Sequence, residues 1–376
     1  MSTYRLRDFV DPIAITVQDP ANSGFERFVG LEHYDSNELV IKRFSGVELL
    51  TTNAKTFQKN DLLIARRNVY LRRAGVVYFD GITSGDSIVL RVKENCEKQT
   101  GINRELAQRI LPLVLNTDKF WIYANKHADG MNSKRISKDT LLDYEFDLPS
   151  IEEQKVLADK LWAAYKVKES YRQLLSTTDE MLKAKFQEMF VDKGWPLEKL
   201  PNIAKYSIGL TYKPSDVSED GVVVLRSGNI VDGQIDLEDI VRVTTKFKDE
   251  LYVQKDDILM CSRNGSAKLV GKVALIPALS EPMTYGAFMT VIRSPYNRYL
   301  VQYFQTKEFR KQLSGSKSSV MNQVTQKMLD DIVVPLPNEK MINQFAEIAT
   351  QAEATKTSLR ASIEAIDRVI RSLINQ

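Results

Sequence analysis

The chain has 376 residues, enough for two or three domains, and its 43% hydrophobic and 27% charged content is that of an ordinary globular protein. No run of about 18 apolar residues is present and the start, Met1-Ser2-Thr3-Tyr4-Arg5, lacks an apolar signal core, so no membrane partner is expected. The only cysteines, Cys96 and Cys261, have neither disulfide nor metal spacing and fit a reducing cytoplasm, while a net charge of +3 does not by itself argue for nucleic acid.

Residues 1–150 read as a mixed α/β head. β-rich runs are expected at 38–43, 61–65, 75–79 and 87–92, separated by turn residues such as Asp80-Gly81 and Ser84-Gly85-Asp86. A helix follows over 103–115, broken at Pro112, then a loop over 126–134 and a short helix over 137–143. Leu148-Pro149-Ser150 closes the head, and Ser150 with Glu153 forms a capping box for the next element. That element is a central long helix, allotted to 151–194, with Gly194 suited to the left-handed position after its end. Residues 195–337 then repeat the head, and 338–376 form a C-terminal long helix.

The repeat is explicit. Phe57-Gln58-Lys59-Asn60-Asp61-Leu62-Leu63 returns as Val253-Gln254-Lys255-Asp256-Asp257-Ile258-Leu259, and Arg67-Asn68 returns as Arg263-Asn264, at an offset of 196. At the far end Ile136-Ser137 meets Val324-Thr325, and Leu148-Pro149 meets Leu336-Pro337, at an offset of 188. The helices repeat too. Leu359, Ile363, Ile366, Ile370 and Leu373 form an alternating three- and four-residue seam, and subtracting 188 lands on Tyr171, Leu175, Thr178 and Leu182, with Leu161 upstream. Lys168 and Lys356 interrupt both seams at one place, either to fix register or to snorkel at the edge. Each helix would be about 55–60 Å long, with an apolar stripe that needs a partner helix. The expected fold is therefore α+β: two similar α/β heads separated by two long antiparallel helices in a coiled-coil spacer, related by a pseudo-two-fold axis.

Enzyme signatures fail. Between Gly265 and Gly271 lie five residues where a phosphate loop has four, and Val273 stands where that loop needs a hydroxyl, so strand–turn–strand is the better reading. No GxGxxG and no His/Cys/carboxylate set with metal spacing is present. Asp256-Asp257 and Asp330-Asp331 read as turn and cap residues. Binding is better supported. Residues 55–73 carry Lys55, Lys59, Arg66, Arg67, Arg72 and Arg73 against Asp61, an excess of five, interleaved with Asn68 and Tyr70. Residues 298–327 carry Arg298, Lys307, Arg310, Lys311, Lys317 and Lys327 against Glu308, again an excess of five, interleaved with Tyr299, Tyr303, Asn322 and Gln323. Arginine can take guanine O6/N7 and Asn or Gln adenine N6/N7, while Lys and Ser serve phosphates. Gly315-Ser316-Lys317-Ser318-Ser319 and Asp129-Gly130-Met131-Asn132-Ser133-Lys134 are small-residue loops at equivalent places in the two heads.

At these residues a family resemblance emerges. Lys255-Asp256-Asp257-Ile258-Leu259-Met260-Cys261-Ser262-Arg263-Asn264-Gly265-Ser266, Leu269-Val270-Gly271-Lys272-Val273-Ala274, Leu225-Arg226-Ser227-Gly228-Asn229-Ile230 and Val334-Pro335-Leu336-Pro337 resemble the recognition domain of specificity (S) subunits of type I restriction–modification systems. Phe28-Val29-Gly30-Leu31-Glu32 and Leu148-Pro149-Ser150-Ile151-Glu152-Glu153-Gln154 resemble the corresponding segments in the first head, whereas residues 10–25 resemble none. The resemblance implies two target recognition heads, each reading half of a bipartite site in double-stranded DNA, with the helices setting the unread gap. It implies a chain without a catalytic site or cofactor of its own. That chain would dock two methyltransferase (M) subunits carrying S-adenosylmethionine, and the assembly would recruit restriction (R) subunits that use ATP and magnesium. DNA-contact candidates are Arg66, Arg67, Asn68, Arg72, Arg73 and Lys134 in the first head. In the second they are Arg226, Asn229, Arg263, Asn264, Ser266, Lys268, Lys317, Ser318 and Gln323. Arg66-Arg67-Asn68 stands where the second head has Ser262-Arg263-Asn264-Gly265, so Arg263 and Asn264 are either base readers or scaffold of the common fold. Two other readings stay open: the recognition part of a single-chain restriction–methylation enzyme, and a coiled-coil scaffold without DNA binding.

Overall fold

The central strands of both heads, Leu62–Ala65 and Ile258–Cys261, have no polar face. The computed structural model describes residues 2–130, 133–314 and 323–375, which fall into two compact units: residues 1–172 with 360–376, and residues 173–359. In the first unit β1 (Ser2–Arg5), β2 (Val10–Ile13), β3 (Leu62–Ala65), β4 (Ala74–Val76), β5 (Ser87–Val92) and β6 (Glu145–Leu148) carry the plan. β2-β5-β3-β4 form an antiparallel sheet, with Leu62 opposite Leu90 and Leu63 opposite Val89. Neighbouring side chains on a strand point to opposite faces. Leu62, Ile64, Leu90 and Val92 therefore enter one core with Trp121 and Leu161, and Leu63, Ala65 and Val89 enter another with Val29 and Phe57. Burial on both faces explains why these runs read as continuous apolar stretches. β1 pairs with β6, Ser2 opposite Leu148, and so ties the start of the head to its exit.

Two local expectations are corrected. The run at 38–43 forms no strand, contributing a single bridge from Val40 to Val76. The helix expected to break at Pro112 runs through it, from Arg104 to Val114, capped by Asn103. Pro112 lies in the last turn, so little helix follows the backbone bond it cannot make, and its neighbours Leu111 and Leu113 stay buried in the core.

The second unit repeats the scheme with β7 (Leu197–Lys199), β8 (Lys205–Ile208), β9 (Ile258–Cys261), β10 (Val273–Leu275), β11 (Met289–Arg293) and β12 (Val333–Pro335). The sheet order is β8-β11-β9-β10, and β7 pairs with β12. Ile258 and Met260 face one core, Leu259 and Cys261 the other. One buried ion pair recurs: Arg91 holds Asp61 through both carboxylate oxygens at 2.7–2.8 Å, and Arg293 holds Asp257 at 2.6–2.8 Å. Each aspartate also accepts a backbone N–H, from Gln58 or Gln254, at 2.8 Å. Asp257 is thus a turn and pairing residue, and Asp256, at φ +66°, pairs with Arg298. The 265–271 stretch is the turn joining β9 to β10.

The long helices are α1 (Ile151–Phe190) and α2 (Glu339–Ile374). Ser150 and Glu153 close the capping box, at 3.0 Å from the Ser150 N–H and 3.3 Å from the Glu153 N–H, and Gly194 adopts φ +66°. Within each unit a stretch of α1 lies antiparallel to a stretch of α2. In the first, Leu161 and Tyr165 share a core with Ile370, Ile366 and Leu373. In the second, Leu182, Phe186 and Phe190 share a core with Ile342, Phe345 and Ala349. Tyr171, Leu175, Leu359 and Ile363 are half-buried.

The two lysines do not snorkel. Lys168 and Lys356 are 4% and 6% exposed. Lys168 meets Asp367 at 2.5 Å in the first unit, and Lys356 meets Asp179 at 2.8 Å in the second. Asp179 and Asp367 are themselves related by the 188-residue offset, so one cross-helix pair is written twice. Lys168 also reaches Glu38 of the head at 2.6 Å, where Arg172 joins at 2.6 Å. Burial would raise the Glu38 carboxyl, but hydrogen bonds and charge from Arg172 and Lys168 outweigh it and hold it below the usual carboxylate range. A depressed carboxyl stabilises the fold above its unfolded pKa and loses that contribution as pH falls through the folded value. Thermal stability of the first unit should therefore drop below about pH 4, and Glu38→Gln should flatten that acid limb while costing about 1–3 kcal/mol at neutral pH. Melting curves from pH 3 to 7 check this.

Candidate nucleic-acid interface

At the edge of each main sheet three backbone segments converge. In the first unit the chain leaves β3 at Arg66, whose N–H donates to the Asp86 carbonyl at 2.9 Å and whose carbonyl accepts from the Ile136 N–H at 3.0 Å. In the second the chain leaves β9 at Ser262, whose N–H donates to the Phe288 carbonyl at 2.9 Å and whose carbonyl accepts from the Val324 N–H at 2.7 Å. The next residues form matching bridges, Arg67 with Arg135 and Arg263 with Gln323. The short helices that follow, Lys138–Leu142 and Gln326–Asp330, are capped alike by Ser137 and Thr325. One framework is thus built twice, and different side chains stand on it.

In the first unit this edge is basic. Arg67 is exposed and donates from Nε to Ser133 Oγ at 2.7 Å. Asp86 lies 3.7 Å from Arg67 and 3.6 Å from Arg135, one carboxylate between two guanidiniums. Burial, then Arg66, push the nearby Lys55 ammonium below its usual value, while Asp86 pulls the other way. Lys134 is exposed. Other candidates are engaged. Arg73 donates to the carbonyls of Leu31 and Arg67 at 3.0 and 3.1 Å, bracing the loop from behind. Arg72 pairs with Asp118 at 2.6 Å, and Asn68, at φ +55°, accepts from Ser133 Oγ at 3.3 Å.

In the second unit the same edge is an open concavity of about 430 Å³ lined by Arg263, Asn264, Gly265, Phe288 and Gln323. The Arg263 guanidinium lies over the Phe288 ring, 5.7 Å from its centroid, and Nη2 donates to Gln323 Oε1 at 2.7 Å. Phe288 is 57% exposed. Asn264 donates to Ser227 Oγ at 3.0 Å and accepts from the Ser266 N–H at 2.9 Å, which shapes the loop. Ser266 and Lys268 are exposed, and Arg226 pairs with Asp239 at 3.0 Å. Lys317, Ser318 and Asn322 lie outside the described residues.

Three expectations change. Asn229 is buried and spends its whole amide within its own loop, accepting from the Arg226 N–H at 2.8 Å and donating to the carbonyls of Asp236 and Asp239 at 2.9 and 2.8 Å. It is a loop-forming residue with nothing left for a base edge. Tyr299 and Tyr303 are core residues whose hydroxyls donate to the Pro335 and Val333 carbonyls, so neither can stack on a base. Asp86, Arg135 and Phe288 were not among the expected contacts. Arg135 was within reach, because the Ile136-Ser137/Val324-Thr325 repeat already sets it opposite Gln323. Phe288 precedes an apolar strand and reads there as core.

A family model described as the type I restriction modification DNA specificity domain matches residues 12–175 and 192–367. The chain is similar to the type I restriction enzyme StySPI specificity subunit of Salmonella potsdam, at 25% identity over 190 residues, 48% of this chain and 40% of that protein. It is also similar to the EcoBI specificity subunit of Escherichia coli, at 21% over 327 residues, 72% of this chain and 67% of that one. The matches therefore span about two fifths and two thirds of those relatives' lengths. Its fold is that of the type I restriction-modification S subunit from M. genitalium, at a TM-score of 0.55, 13% identity and coverage of 99% and 94% of the two chains. A chain from a study of complex assembly in a type I restriction-modification system agrees, at a TM-score of 0.52, 17% identity and coverage of 99% and 96%.

Proposed function

The chain belongs to the type I restriction modification DNA specificity family, and from that premise we propose that it is the subunit that chooses the DNA sequence for such a system. Each head reads one half of a bipartite site in double-stranded DNA, and the paired helices set the unread gap. The observation that carries this reading is the duplicated edge: one backbone framework in each unit, presenting Arg67 and Arg135 in one and Arg263 and Gln323 in the other.

The chemistry would reside elsewhere. This chain contributes recognition and docks two methyltransferase subunits, which bring S-adenosylmethionine. Restriction subunits, with ATP and magnesium, join that assembly in the cytoplasm. Among the described residues no helix is long and apolar enough to cross a membrane. In the reading proposed here Arg67, Lys134, Arg135, Arg263 and Lys268 face the duplex, and Arg73 and Asn229 hold the loops in shape.

Base-resolution methylation maps of strains with and without this gene test the proposal. The expected result is loss of one bipartite motif; an unchanged map would overturn it. Binding by the full chain with its methyltransferase subunits should weaken steeply with salt, by roughly 10³-fold between 50 and 200 mM if about six phosphates are engaged. A flat salt response would favour the scaffold reading.

A further inference from the structure

Three side chains stand at corresponding points of the duplicated edge: Arg67, Asp86 and Arg135 in the first unit, Arg263, Phe288 and Gln323 in the second. Their correspondence is set by backbone hydrogen bonds, from Arg66 and Ser262 to the carbonyls of Asp86 and Phe288, and by the two matching bridges. We propose that each triad is the base-reading element of its head, and that its leading arginine, Arg67 or Arg263, donates in bidentate fashion to O6 and N7 of a guanine. This deepens the DNA-specificity reading above and rests on it.

The argument is about orientation. A phosphate contact needs a positive charge within reach, and a freely moving lysine or arginine supplies it. A guanine contact needs the plane of the guanidinium fork fixed, because two donors must meet two acceptors on one base edge. Both leading arginines are held in this way. Arg263 lies over Phe288 and is tied at one end to Gln323 at 2.7 Å, which fixes plane and rotation together. Phe288 is an aromatic ring exposed at the start of a strand, where it serves no core, and supporting Arg263 accounts for it. Arg67 is held by other means: Nε is tied to Ser133 Oγ at 2.7 Å, and Asp86 stands 3.7 Å from Nη1 in the place of the ring. Holding the fork before binding lowers the ordering cost of the contact.

The third position separates the two halves. Arg135 beside Arg67 offers a second fork suited to guanine, whereas Gln323 beside Arg263 offers an amide suited to adenine. One scaffold can therefore read two different half-sequences by changing what stands at the second and third points.

The test is selection from a pool of random-sequence duplex DNA by the full chain assembled with its methyltransferase subunits. With Arg263→Ala one guanine·cytosine position should vanish from one half, with discrimination there falling about 5- to 150-fold and the other half unchanged. Arg67→Ala should do the same in the other half. Preference retained in the untouched half shows that each variant is folded. Arg263→Lys keeps the charge but lacks the fork, so it should lose the guanine while keeping the salt dependence. Uniformly weaker binding with both half-sequences intact and a shallower salt slope would make these arginines phosphate contacts and overturn the proposal. Loss of an adenine·thymine position with every guanine·cytosine position kept would overturn the guanine assignment. A wild-type chain that enriches a bipartite sequence, with variants that enrich the same one, overturns the triads alone. A wild-type chain that enriches no sequence overturns the specificity reading with them.

Discussion

Inserting four residues after Thr178 should widen the unread gap of the DNA site while leaving both half-sequences as they were. Four helical residues add about 6 Å, nearly two base-pair steps of roughly 3.4 Å each. The structure adds an expectation about stability. The insertion falls between Lys168 and Asp179 on α1, while Asp367 and Lys356, their partners on α2, keep their old separation. One pair must break, leaving a buried ammonium with only one carboxylate, Glu38 for Lys168 or Glu353 for Lys356, so the single insertion should unfold more easily than the parent. A second insertion of four residues between Lys356 and Asp367 restores both pairs and should recover most of the loss. Methylation mapping reads the gap, and denaturant midpoints read the stability. Changed half-sequences with an unchanged gap would contradict the ruler.

Phe345→Ala should be among the most damaging single substitutions in the second unit, at about 3–5 kcal/mol. Phe345 is fully buried and packs edge-on against Phe186 and Phe190, with centroids 5.4 Å away in each case. Both partners also pack on Tyr299, at 5.4 and 4.9 Å, so one aromatic cluster joins α1, α2 and the head. Truncation opens a cavity among rings that cannot collapse onto it without moving a helix. Trp195 is the only tryptophan of this unit and donates to the Met189 carbonyl at 3.2 Å, next to the cluster. Its fluorescence should report an earlier denaturant transition. In a Phe345→Ala chain also carrying Trp195→Phe, the signal from Trp121 and Trp162 should show the first unit little changed. A shift of less than about 1 kcal/mol would mean that the cluster is not the joint described here.

The architecture was legible because duplication makes a weak pattern visible twice. A three- and four-residue seam in one helix is common, but the same seam with a lysine at the same place 188 residues away pointed to two helices that pair. The reading edge was only half legible, because a basic residue in a sequence carries no mark of what it already holds. Arg72 and Arg73 sit in the same basic run as Arg67, yet one pairs with Asp118 and the other ties down backbone carbonyls. Asn229 reads in the sequence as a DNA-contact candidate, and three bonds inside its own loop engage its amide. Tyr299 and Tyr303 sit among cations in the chain but face inward from a helix whose other side carries the charge. Phe288 and Asp86 shared no chemistry to align, and only the backbone bonds from Ser262 and Arg66 equate them.

The duplicated lysine–aspartate contacts also govern slippage. Sliding α2 along α1 by one heptad would keep apolar residues facing apolar residues over much of the seam, so hydrophobicity alone would tolerate the error. In one direction that shift sets Lys168 against Arg360 and Lys356 against Arg172; in the other it sets them against Ile374 and Phe186. Either way both buried ammonium groups lose their cross-helix aspartates together and keep only Glu38 and Glu353, with one displacement facing them with cations and the other with hydrocarbon. The cross-helix lysine–aspartate contacts thus penalise a one-heptad slip that the apolar seam by itself would tolerate.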